Sequence, residues 1–145
     1  YTKYTLNTDN KVIKHLSTDS ITAKEKNIYQ RFNTIHNSMV KDKLYSWPDV
    51  VVFENYAFNG NRVTQLAELN GVLKYNFTLE NKVIELVAPA TIKLKVTGHG
   101  RGSKDNVRKS IIKLDLFKGI KFKNNDESDS AAVGYTYIMK LLDEK

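Results

Sequence analysis

The stretch Pro48-Asp49-Val50-Val51-Val52-Phe53-Glu54 decides how this chain is to be read. A run of β-branched and aromatic residues follows a proline and an acid, and a second acid closes it. A short, continuous apolar run predicts a central strand buried on both faces of a sheet. An acid at the carboxyl end of such a strand lies where open α/β sheets place their ligands. Taken alone, Glu54 is read more simply as an ordinary strand-end carboxylate in water.

Outward from this strand, elements of both kinds follow. Thr2–Thr8 and Lys11–Ser17 predict two short strands, joined by the turn formers Asn7-Thr8-Asp9-Asn10. Ile21–Leu44 predicts a helix, with Ile28, Phe32, Ile35 and Met39 on one apolar stripe. Ser46-Trp47-Pro48-Asp49 ends it. After the Val50 strand, Tyr56–Asn61 reads as a loop, and Val63, Leu66, Ala67, Asn70 and Lys74 share one face of a further helix. Gly71 within that helix costs stability relative to alanine and points to a close contact. Val83–Val87 predicts another strand. Pro89 suits the first turn of a short helix over Ala90–Val96. Gly98–Gly102 reads as a loop, and Ser103 as the N-cap of a helix carrying Val107, Ile111 and Leu114. Lys118–Asn125 reads as a basic connection to a final helix, Ala131–Leu142. Alternating strands and helices predict a single α/β domain over residues 1–145.

The chain has 145 residues and a formal charge of +7, and that charge is concentrated. Residues 91–125 hold ten Lys and Arg against Asp105 and Asp115, a surplus of eight, and the rest of the chain is nearly balanced. A surplus so localised points to a polyanion, with nucleic acid the default partner and a solvated basic face the plainer alternative. The absence of cysteine excludes disulfides and thiolate metal sites. No apolar run approaches the roughly 18 residues of a membrane span. Asn76-Phe77-Thr78 matches a glycosylation acceptor, read here as chance. The glycines around His99 do not make a phosphate-binding P-loop. No Ser-His-Asp spacing or histidine cluster supports a hydrolase triad or a zinc site.

The second informative stretch is Asn124-Asn125-Asp126-Glu127-Ser128-Asp129-Ser130-Ala131-Ala132-Val133. Asp126 and Asp129 are separated by three residues, so within a helix they lie on one face about one turn apart. A capping box, with Asp126 on the first amides and Asp129 reaching back, is an equal reading. The two are compatible, because a cap can fix the carboxylates that a metal uses. Together, a strand-end Glu, a helix-start Asp-x-x-Asp and a basic segment are what a metal-dependent nuclease needs. Hard cations take oxygen ligands, and lysines hold phosphates.

Pro48–Glu54 resembles the second catalytic motif of RuvC-type Holliday junction resolvases. Ala88–Gly98 and Gly102–Val107 resemble the segment carrying that family's DNA-contacting lysines, and Asp126–Ala132 resembles its final Asp-x-x-Asp-Ala helix. The order and spacing match from about Tyr1 to the end. The resemblance implies a ribonuclease-H-like fold, a mixed central sheet flanked by helices. It implies a homodimer, in contact through about Arg62–Phe77, that cuts four-way DNA junctions with Mg²⁺ or Mn²⁺. Two such ions about 3.5–4 Å apart act together in nucleases of this chemistry. Glu54, Asp126 and Asp129 carry over as catalytic, metal-binding acids, and Lys93 and Lys104 as substrate lysines. Arg101 joins them as a DNA-binding residue. Tyr56 and Phe58 lie where the family places an aromatic that stacks at the junction centre, with loop packing the nearly equal alternative.

The family's first catalytic Asp precedes a Gly-rich turn on a strand not seen here, and Asp9, in a hairpin turn, is a poor substitute. The expectation is that a short N-terminal piece with that Asp precedes Tyr1. A ribonuclease-H-like protein that binds branched nucleic acid without cutting it is the second reading. A basic protein-interaction module is the third. The Lys/Asn-rich composition and the basic connection Leu116–Asn125 suggest a phage-encoded branch. The expected location is the cytoplasm of a bacterium or phage-infected cell.

Overall fold

A computed structural model describes residues 1–55 and 63–144. The expected loop with Tyr56 and Phe58 lies outside the described residues, as does Arg62. The chain divides into two compact units, Tyr1–Ser20 with Val87–Lys145, and Ile21–Leu86.

In the first unit, strands β1 (Thr2–Asn7) and β2 (Val12–Thr18) pair antiparallel. Their turn is built by asparagine side chains, as the sequence leads one to expect. Asn7 Oδ1 accepts from the amides of Asp9 and Asn10 at 3.0 and 3.3 Å, and Asn10 Oδ1 accepts from the amide of Val12 at 3.2 Å. The register breaks between Lys3 and Tyr4, where Lys3 faces Ser17 and Tyr4 faces His15. A bulge of this kind re-aims side chains. Here Tyr4 and His15 meet edge to face at 5.8 Å, and Phe117 packs against them at 6.2 and 5.5 Å.

Phe117 is fully buried and belongs to a short 3-10 turn, Asp115–Phe117, between the helix expected after Ser103 and the basic connection expected from Lys118. Helix α3 spans Pro89–Thr97 and ends on Gly98 at φ 78, a left-handed cap that favours glycine. Helix α4 spans Lys104–Ile111, capped by Ser103 as expected. Val107 and Ile111 are buried, whereas Leu114 falls beyond the helix and caps the 3-10 turn.

Helix α5 covers Asn125–Asp143, starting six residues before the expected Ala131. Its first turn is polar and carries no apolar period, which hides the start from a hydrophobicity reading. Ala131 and Ala132 are fully buried, and β1 docks beside them. The Tyr4 hydroxyl donates to the Ala131 carbonyl at 2.6 Å, and burial pushes the Tyr4 phenol well up from its ordinary range. A Cβ on Gly134 would stand 2.4 Å from Tyr4 Cε2. The missing side chain is therefore what lets the tyrosine ring lie on α5.

In the second unit, helix α1 covers Ile28–Lys41, not Ile21–Leu44. Asn27 stays extended and its side chain accepts from the amides of Tyr29 and Gln30, which sets the start. Lys43 at φ 54 turns the chain, so that Leu44 and Tyr45 enter the core from outside the helix. Strand β3 (Val50–Glu54) pairs with β4 (Val83–Val87), and α2 covers Val63–Leu79. Phe77, Tyr45 and Phe53 form an aromatic cluster, with ring centroids 4.8 Å apart for Tyr45–Phe77 and 6.1 Å for Phe53–Phe77. The Val50 run is a strand but is not sealed on both faces. Val50 is 37% exposed, and Val51 to Phe53 are half-buried. Among the described residues β3 has β4 as its one partner. Composition sets strand character, whereas burial depends on neighbours that a local run does not encode. Both units mix helix and strand, as the α/β expectation requires.

Two outcomes follow. Ala for Gly inside a helix ordinarily stabilises by about 1 kcal/mol. Gly134→Ala is expected to do the reverse, costing about 1–3 kcal/mol by overpacking against Tyr4, with the loss relieved in a Tyr4→Ala background; urea unfolding of the single and double variants measures both. Burial lowers the His15 pKa, so the folded state favours the neutral ring. Its contribution is complete above the unfolded value of about 6.5 and is lost as pH falls through the lower folded value. His15→Phe is expected to flatten the dependence of the melting temperature on pH between about 7.5 and 5.

Candidate functional site

The acids of Asn124–Val133 divide into two kinds. Asn124 is extended, at φ −151 and ψ 178, and its Oδ1 accepts from the amide of Glu127 at 3.0 Å. Glu127 is 2% exposed, and its carboxylate accepts from the Lys123 amide at 2.7 Å and the Ser20 hydroxyl at 3.2 Å. The cap is thus made by Asn124 and Glu127, not by Asp126 and Asp129. Sequence reasoning passed over Glu127, although Asn-x-x-Glu has the spacing of a capping box. Asp126 and Asp129 sit inside α5, about 60° apart around its axis.

Their surroundings differ. Asp126 is exposed, and Asp129 is half-buried. Burial raises the Asp129 pKa, the nearby Lys104 ammonium lowers it, and the charge of Asp126 adds a smaller upward push. Lys104 Nζ stands 3.5 Å from Asp129 Oδ2. One turn further along α4, Arg108 Nη1 donates to Asn125 Oδ1 at 3.1 Å. Residue 104 meets 129 and residue 108 meets 125, so α4 passes the start of α5 in the opposite sense. The whole basic segment 91–125 lies in the same unit as these two acids.

The cations of that segment do not act alike. Lys123 reaches Asp19 at 2.9 Å and Glu127 at 3.9 Å, tying the end of the hairpin to the start of α5. Lys95 is ion-paired with Asp143 near the other end of α5. These two are clamps. Lys93, half-buried on α3, and Arg101, exposed in the loop before α4, stand in the same unit as Lys104. The loop is closed by Thr97, whose hydroxyl donates to the Lys93 carbonyl at 2.8 Å and accepts from the His99 amide at 3.2 Å. His99 is exposed there. Glu54 closes β3 in the second unit and is exposed. Tyr56 and Phe58 lie outside the described residues.

The donor chemistry fits a hard divalent cation in part. Asp126 and Asp129 offer carboxylate oxygens, and a cation would relieve the burden that burial puts on Asp129. Two carboxylates do not complete such a shell, and no group of three or more His, Asp or Glu assembles among the described residues.

Comparison with known proteins gives this arrangement a family. The family model described as crossover junction endodeoxyribonuclease RuvC matches residues 4–137. A RuvC from Rickettsia conorii is 30% identical over 135 residues, covering 88% of this chain and 82% of the relative. A RuvC from Dictyoglomus turgidum is 34% identical over 95 residues, covering 64% of this chain; the match spans 60% of that relative's length. Among solved structures, Thermus thermophilus RuvC superposes with a TM-score of 0.71 at 16% identity, covering 90% of this chain and 80% of that one. The same protein in complex with Holliday junction substrate gives 0.75 at 12% identity, covering 97% and 87%. At these identities the structural likeness speaks to the fold, which is that of RuvC.

The division of labour among the acids has a measurable consequence. Glu127→Ala leaves the part-buried Lys123 amide and Ser20 hydroxyl without their acceptor and is expected to cost about 1–3 kcal/mol. Asp126→Asn, at an exposed position, is expected to stay within about 0.5 kcal/mol of wild type. Denaturant midpoints of the two variants check this. Equal losses would mean that Asp126 shares the capping role.

Proposed function

The chain belongs to the crossover junction endodeoxyribonuclease RuvC family, and on that premise we propose that it is a structure-selective endonuclease that resolves four-way DNA junctions by hydrolysing phosphodiester bonds. Its two compact units are parts of one nuclease domain. The observation that carries the reading is the start of α5. Asn124 and Glu127 perform the capping, which leaves Asp126 and Asp129 one turn apart with the Lys104 ammonium beside them.

In this reading Asp126, Asp129 and Glu54 hold the divalent metal of the family, Mg²⁺ or Mn²⁺, two ions to a site. When bound, such ions activate water and stabilise the leaving oxygen. The remaining work falls to the protein's own side chains. Lys104, Lys93 and Arg101 neutralise and orient the substrate phosphates. Tyr56 and Phe58 stack on bases at the junction centre. Glu127 and Lys123 hold α5 in place and touch no substrate.

A four-way junction has two strands to cut, which suits a protein with a two-fold axis. Val72, Tyr75 and Leu79 lie along α2 at spacings of three and four and are 38%, 64% and 62% exposed. That apolar stripe supports α2 as the homodimer contact, where the family resemblance also puts it. An exposed stripe of this kind is otherwise a liability in water.

Two experiments test the proposal. The protein as encoded in its source is incubated with a labelled four-way junction, with Mg²⁺ and without it. Symmetric cleavage that needs the metal is the expected result. Glu54→Gln, Asp126→Asn and Asp129→Asn are each expected to lose about a hundredfold or more in rate, because each removes a ligand of the catalytic metal. Junction binding without cleavage would instead support a non-cutting binding protein. Sedimentation of Tyr75→Glu, Leu79→Asp is expected to show a monomer where wild type is a dimer; an unchanged dimer would remove α2 from the interface.

A further inference from the structure

Lys104 opens α4 at the end of a helix where the macrodipole disfavours a cation. Local helix stability therefore does not account for it. Its side chain is 78% exposed and has room to swing into water, yet the ammonium rests 3.5 Å from Asp129 Oδ2, on a side chain only 25% exposed. An exposed charge thus stands against the carboxylate of the pair that water reaches less well. Asp126 adds a second carboxylate one turn away, and the Arg108 guanidinium stands on Asn125 beside them.

A divalent cation held by Asp126 and Asp129 changes that balance. It cancels the two carboxylate charges, so the ammonium loses its attraction to the pair and stands at short range from a like charge. Lysine's flexible four-carbon stem allows the head group to leave without disturbing α4. A substrate phosphate facing the bound cation would then offer the ammonium a new partner.

We propose that Lys104 is the resident counter-charge of Asp129, that a divalent cation displaces it, and that the released ammonium then takes the substrate phosphate. This deepens the nuclease reading and rests on it. Lys104 then couples the two ligands. The cation frees the lysine for phosphate, and phosphate keeps the lysine away from Asp129, so each ligand tightens the other. Arg101, exposed in the loop, and Lys95, paired with Asp143, have no such relation to the acids.

The test is Mn²⁺ binding to the metal-free protein without DNA, followed by the paramagnetic resonance of free Mn²⁺ at low salt. Wild type, Lys104→Met and Asp129→Asn are compared. Lys104→Met is expected to bind Mn²⁺ about fivefold more tightly than wild type, because the competing charge is gone, and the gain is expected to shrink at high salt. Asp129→Asn is expected to bind more weakly than both. Unchanged or weaker binding by Lys104→Met, with Asp129→Asn still impaired, overturns the exchange and leaves the carboxylate site standing. Undiminished binding by Asp129→Asn, or no binding by any of the three proteins, overturns the site itself and the exchange with it.

Discussion

The buried carboxylate of Glu127 is the constraint on which the start of α5 depends. It accepts from the Lys123 amide and the Ser20 hydroxyl, and its own amide is capped by Asn124. A buried charge is tolerated only when its oxygens are well satisfied. Glu127 meets that condition by gathering the end of the β-hairpin, the basic connection and the first turn of α5 at one point. Asp126 and Asp129 are carried on the turn so held. Glu127 takes the structural role at this helix start, and the cap does not draw on Asp126 or Asp129.

The other end of this arrangement is steric. The bulge between β1 and β2 turns Tyr4 inward beside His15 and Phe117, and Gly134 leaves the space that its ring fills on α5. Hairpin and helix are then joined twice, by the tyrosine in the middle of α5 and by Ser20, Asp19 and Lys123 at its start. The basic segment serves two purposes. Lys95 and Lys123 clamp α5, and Lys104 meets Asp129 on it.

Much of this was legible in the sequence where the signal is local. The hairpin, the Ser103 cap, the short helix opening at Pro89 and the spacing of Asp126 and Asp129 all rest on contacts within a few residues. The start of α5 was misplaced because its first turn is polar, whereas α1 was drawn from Ile21 although its apolar stripe begins only at Ile28, just after the Asn27 cap. The embrace of Tyr4 by Gly134 was invisible, since it joins residues 130 apart and turns on a side chain that is not there. The exposure of Val50 was misread because a run of valines specifies a strand and not the number of its neighbours. In the candidate site, residue types and order pointed to the acids and to Lys104, whereas the capping role of Glu127 depends on contacts with Lys123 and the distant Ser20.

The most direct measurement of the central claim is a crystal structure of the protein soaked in Mn²⁺, with the ion located by its anomalous scattering. The account expects Mn²⁺ on the carboxylates of Asp126 and Asp129, and Glu127 still bonded to the Lys123 amide and Ser20. Mn²⁺ coordinated by Glu127, or Mn²⁺ bound elsewhere with Asp126 and Asp129 untouched, would contradict it.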